Sequence, residues 1–245
     1  MKTILITILA SVLVITCSLT GCKKNGCGGK SGSTTRGVRT VPYFTDIVLN
    51  DNINLVLKQD SVTKVEIETD ENIQGSISAE VVNKQLVLKN NASCSWIKQP
   101  GEKVTAYVSV VVLNNLNYQG SGDITNVDTL RFGYFFLEAD GAAGNVFLRM
   151  KNNFTQAQID NEVADLVFEG SSDTCYAYSG SRGTIDFRNF AVRAMDINYV
   201  GLRDAYVNAT QNLHATIHYK GNVYYKGSPS FIAPVYKSTG KLIPF

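Results

Sequence analysis

From Val41 onward, apolar and polar residues alternate with a period of two. Ile53, Leu55 and Leu57 interleave with Asn52, Asn54 and Lys58, and Val65 and Ile67 with Lys64, Glu66 and Glu68. Leu86 and Leu88 sit among Gln85, Val87 and Lys89. Successive side chains on a strand point to opposite faces, so this pattern predicts strands with one buried and one wetted face. Asp70-Glu-Asn72, Asn83 and Asn90-Asn91 separate them as turns. Val104–Leu113 is a more continuous apolar run, predicting a strand covered on both faces.

Beyond Tyr118 a short phrase recurs: alternating apolar residues, a glycine, a small or acidic turn, then another β-branched or aromatic strand. Its glycines stand at 120, 141, 180, 201 and 221, about twenty residues apart with one double step. The inward sets read Phe135, Leu137, Ala139; Val146, Leu148, Met150; Ala164, Leu166, Phe168; Ile185, Phe187; Met195, Ile197, Tyr199; and Leu213, Ala215, Ile217, Tyr219. Half a period away lie Asn152-Asn153, Gly170, Asn189 and Gln211-Asn212, which predicts a second corner in each coil. Glycine suits such corners because it accepts positive φ without a Cβ clash. Ile159, Val163 and Leu166 also fit helical spacing, so Thr155–Val167 allows a helical turn. The whole is an all-β solenoid of stacked strands, with an N-terminal β-rich portion over 41–115 and the glycine-turn repeat over 116–245.

The N-terminus changes the picture. Lys2 precedes a largely apolar run from Ile4 to Ile15, too short to span a bilayer but suited to a secretory signal. It ends in Leu19-Thr20-Gly21-Cys22, which resembles a bacterial lipobox; residues 1–21 then form a lipoprotein signal peptide and Cys22 carries the lipid. Residues 22–40 are rich in Gly, Ser, Thr and Lys and read as a flexible tether. Its bases, Lys23, Lys24, Lys30, Arg36 and Arg39, suit an anionic leaflet. With 23 bases against 21 acids overall, they leave the folded part acidic, which argues against nucleic acid as a partner. Lipidation would leave Cys27, Cys94 and Cys175, an odd set whose disulfide pairing stays open. Trp96, in the loop from Ser93 to Gly101, is expected to fold back onto the core, with a ligand contact as the alternative.

The phrase Leu213-His-Ala-Thr-Ile-His-Tyr-Lys-Gly-Asn-Val-Tyr-Tyr-Lys-Gly-Ser-Pro229, the Gly-Ser-Gly-Asp-type turns and the opening Phe44-Thr-Asp-Ile47 resemble the putative auto-transporter adhesin head domain, or GIN domain, often carried by bacterial lipoproteins. The resemblance covers about residues 41 to 230. It implies a right-handed parallel β-helix-like solenoid and a role in adhesion or surface display, with no reaction and no catalytic residue to carry over. Gly201 departs from the pattern, being followed by Leu-Arg-Asp in place of small residues.

Candidate chemistry is sparse. His214 and His218 lie on the outward face of one strand, too far apart to share a metal. Asp123, Asn145, Asp173, Asp204 and Asn222 recur at corners, where rows of oxygens can hold Ca²⁺ but more commonly cap turns. Asp186, Arg188, Arg193, Asp196 and Arg203 could line the groove of a polysaccharide lyase or hydrolase, although alternation makes them ordinary surface charges. Phe147, Tyr176, Tyr178, Tyr206 and Tyr224 alternate with buried neighbours and therefore point outward. Stacked on one face they would form a platform for a glycan or a surface protein; the alternative is that the Phe231–Phe245 tail covers them. The expectation is a lipid-anchored protein of the bacterial cell envelope, at the outer membrane, non-catalytic and without metal or cofactor.

Overall fold

The structure is a computed structural model and describes residues 32–92, 103–160, 163–180 and 182–245. The expected signal peptide, Cys22, Cys27, Cys94 and Trp96 lie outside the described residues. In chain order the first strands are β1 (Thr34–Arg39), β2 (Asp46–Asp51), β3 (Ile53–Gln59), β4 (Lys64–Asp70), β5 (Ile77–Val82), β6 (Gln85–Asn90), β7 (Val104–Val110), β8 (Asn115–Gly120) and β9 (Ile124–Asn126). They continue as β10 (Tyr134–Asp140), β11 (Val146–Asp160), β12 (Leu166–Ser179), β13 (Ile185–Tyr199), β14 (Ala205–Ile217), β15 (Val223–Lys226), β16 (Phe231–Tyr236) and β17 (Leu242–Pro244). The long strands β11 to β14 each run around a corner, so their first and second halves belong to different faces of the coil.

Two facing sheets result. Sheet A stacks β7, β3, β9, the first halves of β11 to β14, then β15 and β17, all parallel. Sheet B stacks β6, β2, β8, β10, the second halves of β11 to β14, then β16, also parallel. Each coil donates its backbone groups to the coils above and below, so every inward residue lands on an inward residue one strand away. Phe168 and Phe187 are stacked this way, with ring centroids 4.5 Å apart, and Phe190 packs edge-on to both. The core is one continuous column from Phe44 to Val223.

The inward sets inferred from alternation are buried, with one exception: Tyr219 is exposed, because β14 ends at Ile217. Among the described residues of Thr155–Val167 there is no helical turn. Residues 155–160 finish β11 with Ile159 buried, while Val163 is exposed, since the chain turns a corner there and helical spacing is a coincidence of it. β7 is covered on one face only: Val104, Ala106, Val108 and Val110 are buried, while Thr105, Tyr107 and Ser109 are half-buried. Arg36 lies over the Tyr107 ring at 3.8 Å.

The N-terminal portion differs in topology. The coil made of β2 and β3 is sandwiched between the later coils β6–β7 and β8–β9. Antiparallel strands finish that end: β5 on β6, β4 on β7, and β1 on β4. Asn83 and Lys84, both at positive φ, form the two-residue hairpin turn between β5 and β6. Part of the segment expected as a tether, Thr34–Arg39, is thus strand β1. It buries little apolar surface and is held by ladder bonds, by the Arg36–Glu68 ion pair at 2.7 Å and by Arg39 donating to the Gln74 carbonyl.

Among the described residues the opposite end is uncovered. Phe231, Ile232, Val235, Tyr236 and Phe245 are exposed there. Just past β16, the Lys237 N–H donates to the Ile217 carbonyl, so the odd-numbered residues of β16 bond to β14 and the even-numbered ones face the free edge. Pro234 is one of these.

Candidate functional site

Four surfaces are available for function: the two corners and the two outer sheet faces. The corner leading from sheet B into sheet A is built from the recurring phrase. From β9 onward the residue just before each sheet A strand stacks on its counterpart one coil away, and Asn54, the second residue of β3, is in register with Asp123. Asn54 Oδ1 accepts from the Asp123 N–H at 2.8 Å, Asp123 Oδ1 from the Asn145 N–H at 2.9 Å, Asp204 Oδ1 from the Asn222 N–H at 3.0 Å, and Asn222 Oδ1 from the Lys241 N–H at 3.0 Å. Of the oxygens considered for Ca²⁺, those of Asp123, Asp204 and Asn222 accept from backbone N–H groups of the next coil. Asp173 stands apart from this row, at the other corner. Among the described residues no group of three or more His, Cys, Asp or Glu is placed to hold a metal ion.

Two buried tyrosines complete this corner. Tyr118 donates to the Gly122 carbonyl at 2.6 Å and accepts from the Gly144 N–H at 2.8 Å; Tyr199 donates to the Arg203 carbonyl. Burial pushes both phenols up to about 12. The glycines here answer to space more than to dihedral angle. A Cβ on Gly120 would stand 2.2 Å from the Asp51 carbonyl oxygen, and one on Gly201 would stand 2.4 Å from the Tyr199 ring. Of the phrase glycines only Gly141 has positive φ, at 78°, and open space surrounds it. Gly201 followed by Leu-Arg-Asp therefore fits as tightly as its counterparts.

On the outer face of sheet A the register runs Phe147, Val167, Asp186, Tyr206, Tyr224, Ile243. Tyr206 and Tyr224 lie 5.3 Å apart at 20°, face to face, and Phe245 meets both edge-on. The Arg188 guanidinium covers the other side of Tyr206 at 4.5 Å and is paired with Asp186, whose carboxyl it holds below the usual range. The rings thus turn their faces to one another and to Arg188. Phe147 is separated from them by Val167 and Asp186.

On the outer face of sheet B two columns run side by side: Phe136, Gln156, Tyr176, Asp196, His214, and Glu138, Gln158, Tyr178, Asn198, Thr216. Tyr134 and Phe154, stacked at 5.5 Å, border them. No lysine or arginine occurs in the sheet B strand segments from β8 to β16. Asp196 faces the exposed His214, Oδ1 to Nδ1 3.2 Å; His218 lies past the strand end, half-buried, with Nε2 unpartnered. The five outward aromatics thus divide between faces, Tyr176 and Tyr178 on sheet B and Phe147, Tyr206 and Tyr224 on sheet A.

The charges weighed as a catalytic groove divide likewise. Asp186 and Arg188 pair on sheet A, Asp196 sits on sheet B, Arg203 faces Asp165 at 3.5 Å at the first corner, and Arg193 stands at the second. They do not converge on one point. Cys175 points into the core, fully buried, and burial raises its thiol pKa, so its sulfur is out of reach of an exposed partner cysteine.

The second corner, from sheet A into sheet B, is the surface that alternation did not reveal. Its floor is a buried polar chain: Asn152 Nδ2 donates to Thr155 Oγ1 at 3.2 Å, and Thr155 Oγ1 to Ser172 Oγ at 3.1 Å. Above it runs a groove of about 420 Å³ bordered by Arg131, Lys151, Ser171, Asp173, Arg193 and Thr210. Applying the twenty-residue period to the cations would have found it, because Arg131 and Lys151 are one coil apart.

Solved structures share this architecture. A putative adhesin from Bacteroides fragilis is 23% identical, with a TM-score of 0.79 over 88% of this chain and 98% of that one. A putative adhesin from Parabacteroides distasonis is 20% identical, with a TM-score of 0.67 over 87% and 98%. A putative lipid binding protein from the same species is 18% identical, with a TM-score of 0.55 over 86% and 97%. Among curated proteins, none matches the chain. The model of the family described as putative auto-transporter adhesin, head GIN domain, matches residues 43–229, well over half the sequence, and the chain belongs to that family.

Proposed function

We propose that this chain is a lipid-anchored, non-catalytic adhesion domain of the bacterial cell envelope, held at the outer membrane through Cys22, that meets a glycan or surface protein through the outer face of sheet B. The observation that carries the reading is the pair of columns around Tyr176 and Tyr178. There aromatic rings alternate with Gln156, Gln158 and Asn198 on strands whose register is locked by the core beneath. Such a face offers rigid, amphipathic contact area together with adaptable hydrogen bonding, and its ordering is already complete before a partner arrives. The family description and the adhesin relatives support the same reading. Of the sheet A aromatics, Tyr206 and Tyr224 face one another, which leaves Tyr176 and Tyr178 as the better contacts.

The test uses the domain from residue 32 onward against whole cells and glycan arrays. Tyr176→Ala with Tyr178→Ala should weaken binding at least about tenfold, as loss of aromatic anchors does at other interfaces. Unchanged binding would remove sheet B from the proposal. For the anchor, Cys22→Ala in the full chain should shift the protein from the membrane to the soluble fraction and abolish labelling by a radioactive fatty acid. Retention in the membrane would overturn that part.

A further inference from the structure

Four of the eight described arginines find a counter-charge. Arg36 pairs with Glu68, Arg149 with Glu169, Arg188 with Asp186 and Arg203 with Asp165. At the second corner none of the described cations does. Among the described residues Arg131, Lys151 and Arg193 make no ion pair, and Arg193 reaches only the Gln211 side-chain oxygen at 3.3 Å. Leu130 pairs with Met150 and the Lys151 N–H donates to the Leu130 carbonyl, so Arg131 and Lys151 stand next to one another on adjacent coils, about 4.8 Å apart along the stack. Like charges in neighbouring register destabilise a sheet. A single acid, Asp173, borders the groove.

The backbone beneath the cations is fixed. Gln59 holds Arg131 at both ends of its peptide unit, accepting from its N–H at 2.8 Å and donating to its carbonyl at 2.8 Å. Asn152 Oδ1 accepts from the Phe132 N–H at 3.0 Å. The uncompensated charge is therefore presented by a rigid corner. From Arg131 to Arg193 the groove crosses three coil steps, about 14 Å, parallel to the solenoid axis. Ser171, Asn153 and Thr210 supply neutral hydrogen-bonding groups along it.

From these observations we infer that the groove is a binding site for an acidic polysaccharide, whose carboxylate or sulfate groups are received by Arg131, Lys151 and Arg193 while its hydroxyls meet Ser171, Asn153 and Thr210. The lining favours this polyanion over others. It contains no aromatic ring on which a nucleic-acid base could stack and no large apolar side chain that could enter a lipid surface. The site lies at a corner, away from Tyr176 and Tyr178, and stands whether or not sheet B binds a partner.

The domain from residue 32 onward is tested against immobilised oligogalacturonate, which carries carboxylates, and dextran sulfate, which carries sulfates, with neutral dextran and a single-stranded DNA oligonucleotide alongside, at about 0.15 M salt. The expected result is retention on one or both acidic glycans, weakened at least tenfold by Arg131→Gln with Lys151→Gln and further by Arg193→Gln. Lys151→Arg and the remote Lys89→Gln should leave it intact, and no variant should fall below the parental unfolding midpoint. Equal binding of the triple variant, or DNA or neutral dextran bound as tightly as the acidic glycans, would overturn the inference. Tyr176→Ala with Tyr178→Ala, binding these glycans normally, separates this site from the sheet B reading.

Discussion

The two corners of each coil do the same geometric job with different chemistry. The corner entering sheet A is closed: a ladder of Asn and Asp caps, tyrosine hydroxyls on carbonyls and glycines pressed against the neighbouring coil use up nearly every polar group. The corner entering sheet B keeps a buried polar floor but, among the described residues, leaves its cations without a counter-charge. One corner is spent on stability and the other is free for recognition. Substitutions at the first should therefore change unfolding, and those at the second should change binding.

The largest effect is expected at Gly122. A Cβ there would stand 2.0 Å from the Ile53 carbonyl oxygen, so Gly122→Ala must push adjacent coils apart and cost about 3 kcal/mol or more in chemical denaturation. Gly141→Ala, in open space at φ 78°, should cost only about 1 kcal/mol. If the two were equal, dihedral strain and not close approach would govern the corner.

Next comes Tyr118→Phe, which leaves the Gly122 carbonyl and Gly144 N–H short of a partner and should cost about 1–3 kcal/mol. The same residue carries a pH signature. Its folded pKa of about 12 lies above the ordinary phenol value of 10.0, as does that of Tyr199, so their contribution is full below pH 10.0 and is lost as pH rises toward 12. Urea midpoints should fall across that window, and Tyr118→Phe should flatten the fall.

Asp123→Ala, removing one rung of the ladder, should cost about 1 kcal/mol by thermal unfolding. The smallest effect has the opposite sign. Lys151→Glu replaces a like-charge neighbour of Arg131 with an opposite one and should raise stability by about 0.5 kcal/mol while weakening acidic-glycan binding. A loss of stability there would mean that the second corner is as structural as the first.

Much of this fold was legible because burial follows a period of two and the glycines a period near twenty. Phe135, Leu148, Phe187 and Ile197 are all interior as alternation requires. What alternation cannot carry is the route around a corner. Phe147 and Tyr178 both read as outward, yet they sit on opposite sheets because β11 and β12 each bend midway. Nor can it show that β6 and β7 slide beneath the earlier coil β2–β3, since every strand in that region has the same pattern. β1 escaped notice because it buries almost no apolar surface, so only its partners define it. Of the second-corner cations the sequence singles out only Arg193, in a group with charges that lie elsewhere; Arg131 and Lys151 draw no notice, because their meaning lies in being neighbours across coils.

Pro234 carries one more consequence. Its ring occupies the position whose N–H would otherwise have projected from the free rim of β16. A column of coils ending in an unblocked rim could add another column, and then another, until a fibre formed. With Pro234 there and Pro244 placed the same way on β17, copies crowded side by side have two fewer donors for zipping together end to end, and the outermost coil is biased to remain a terminus.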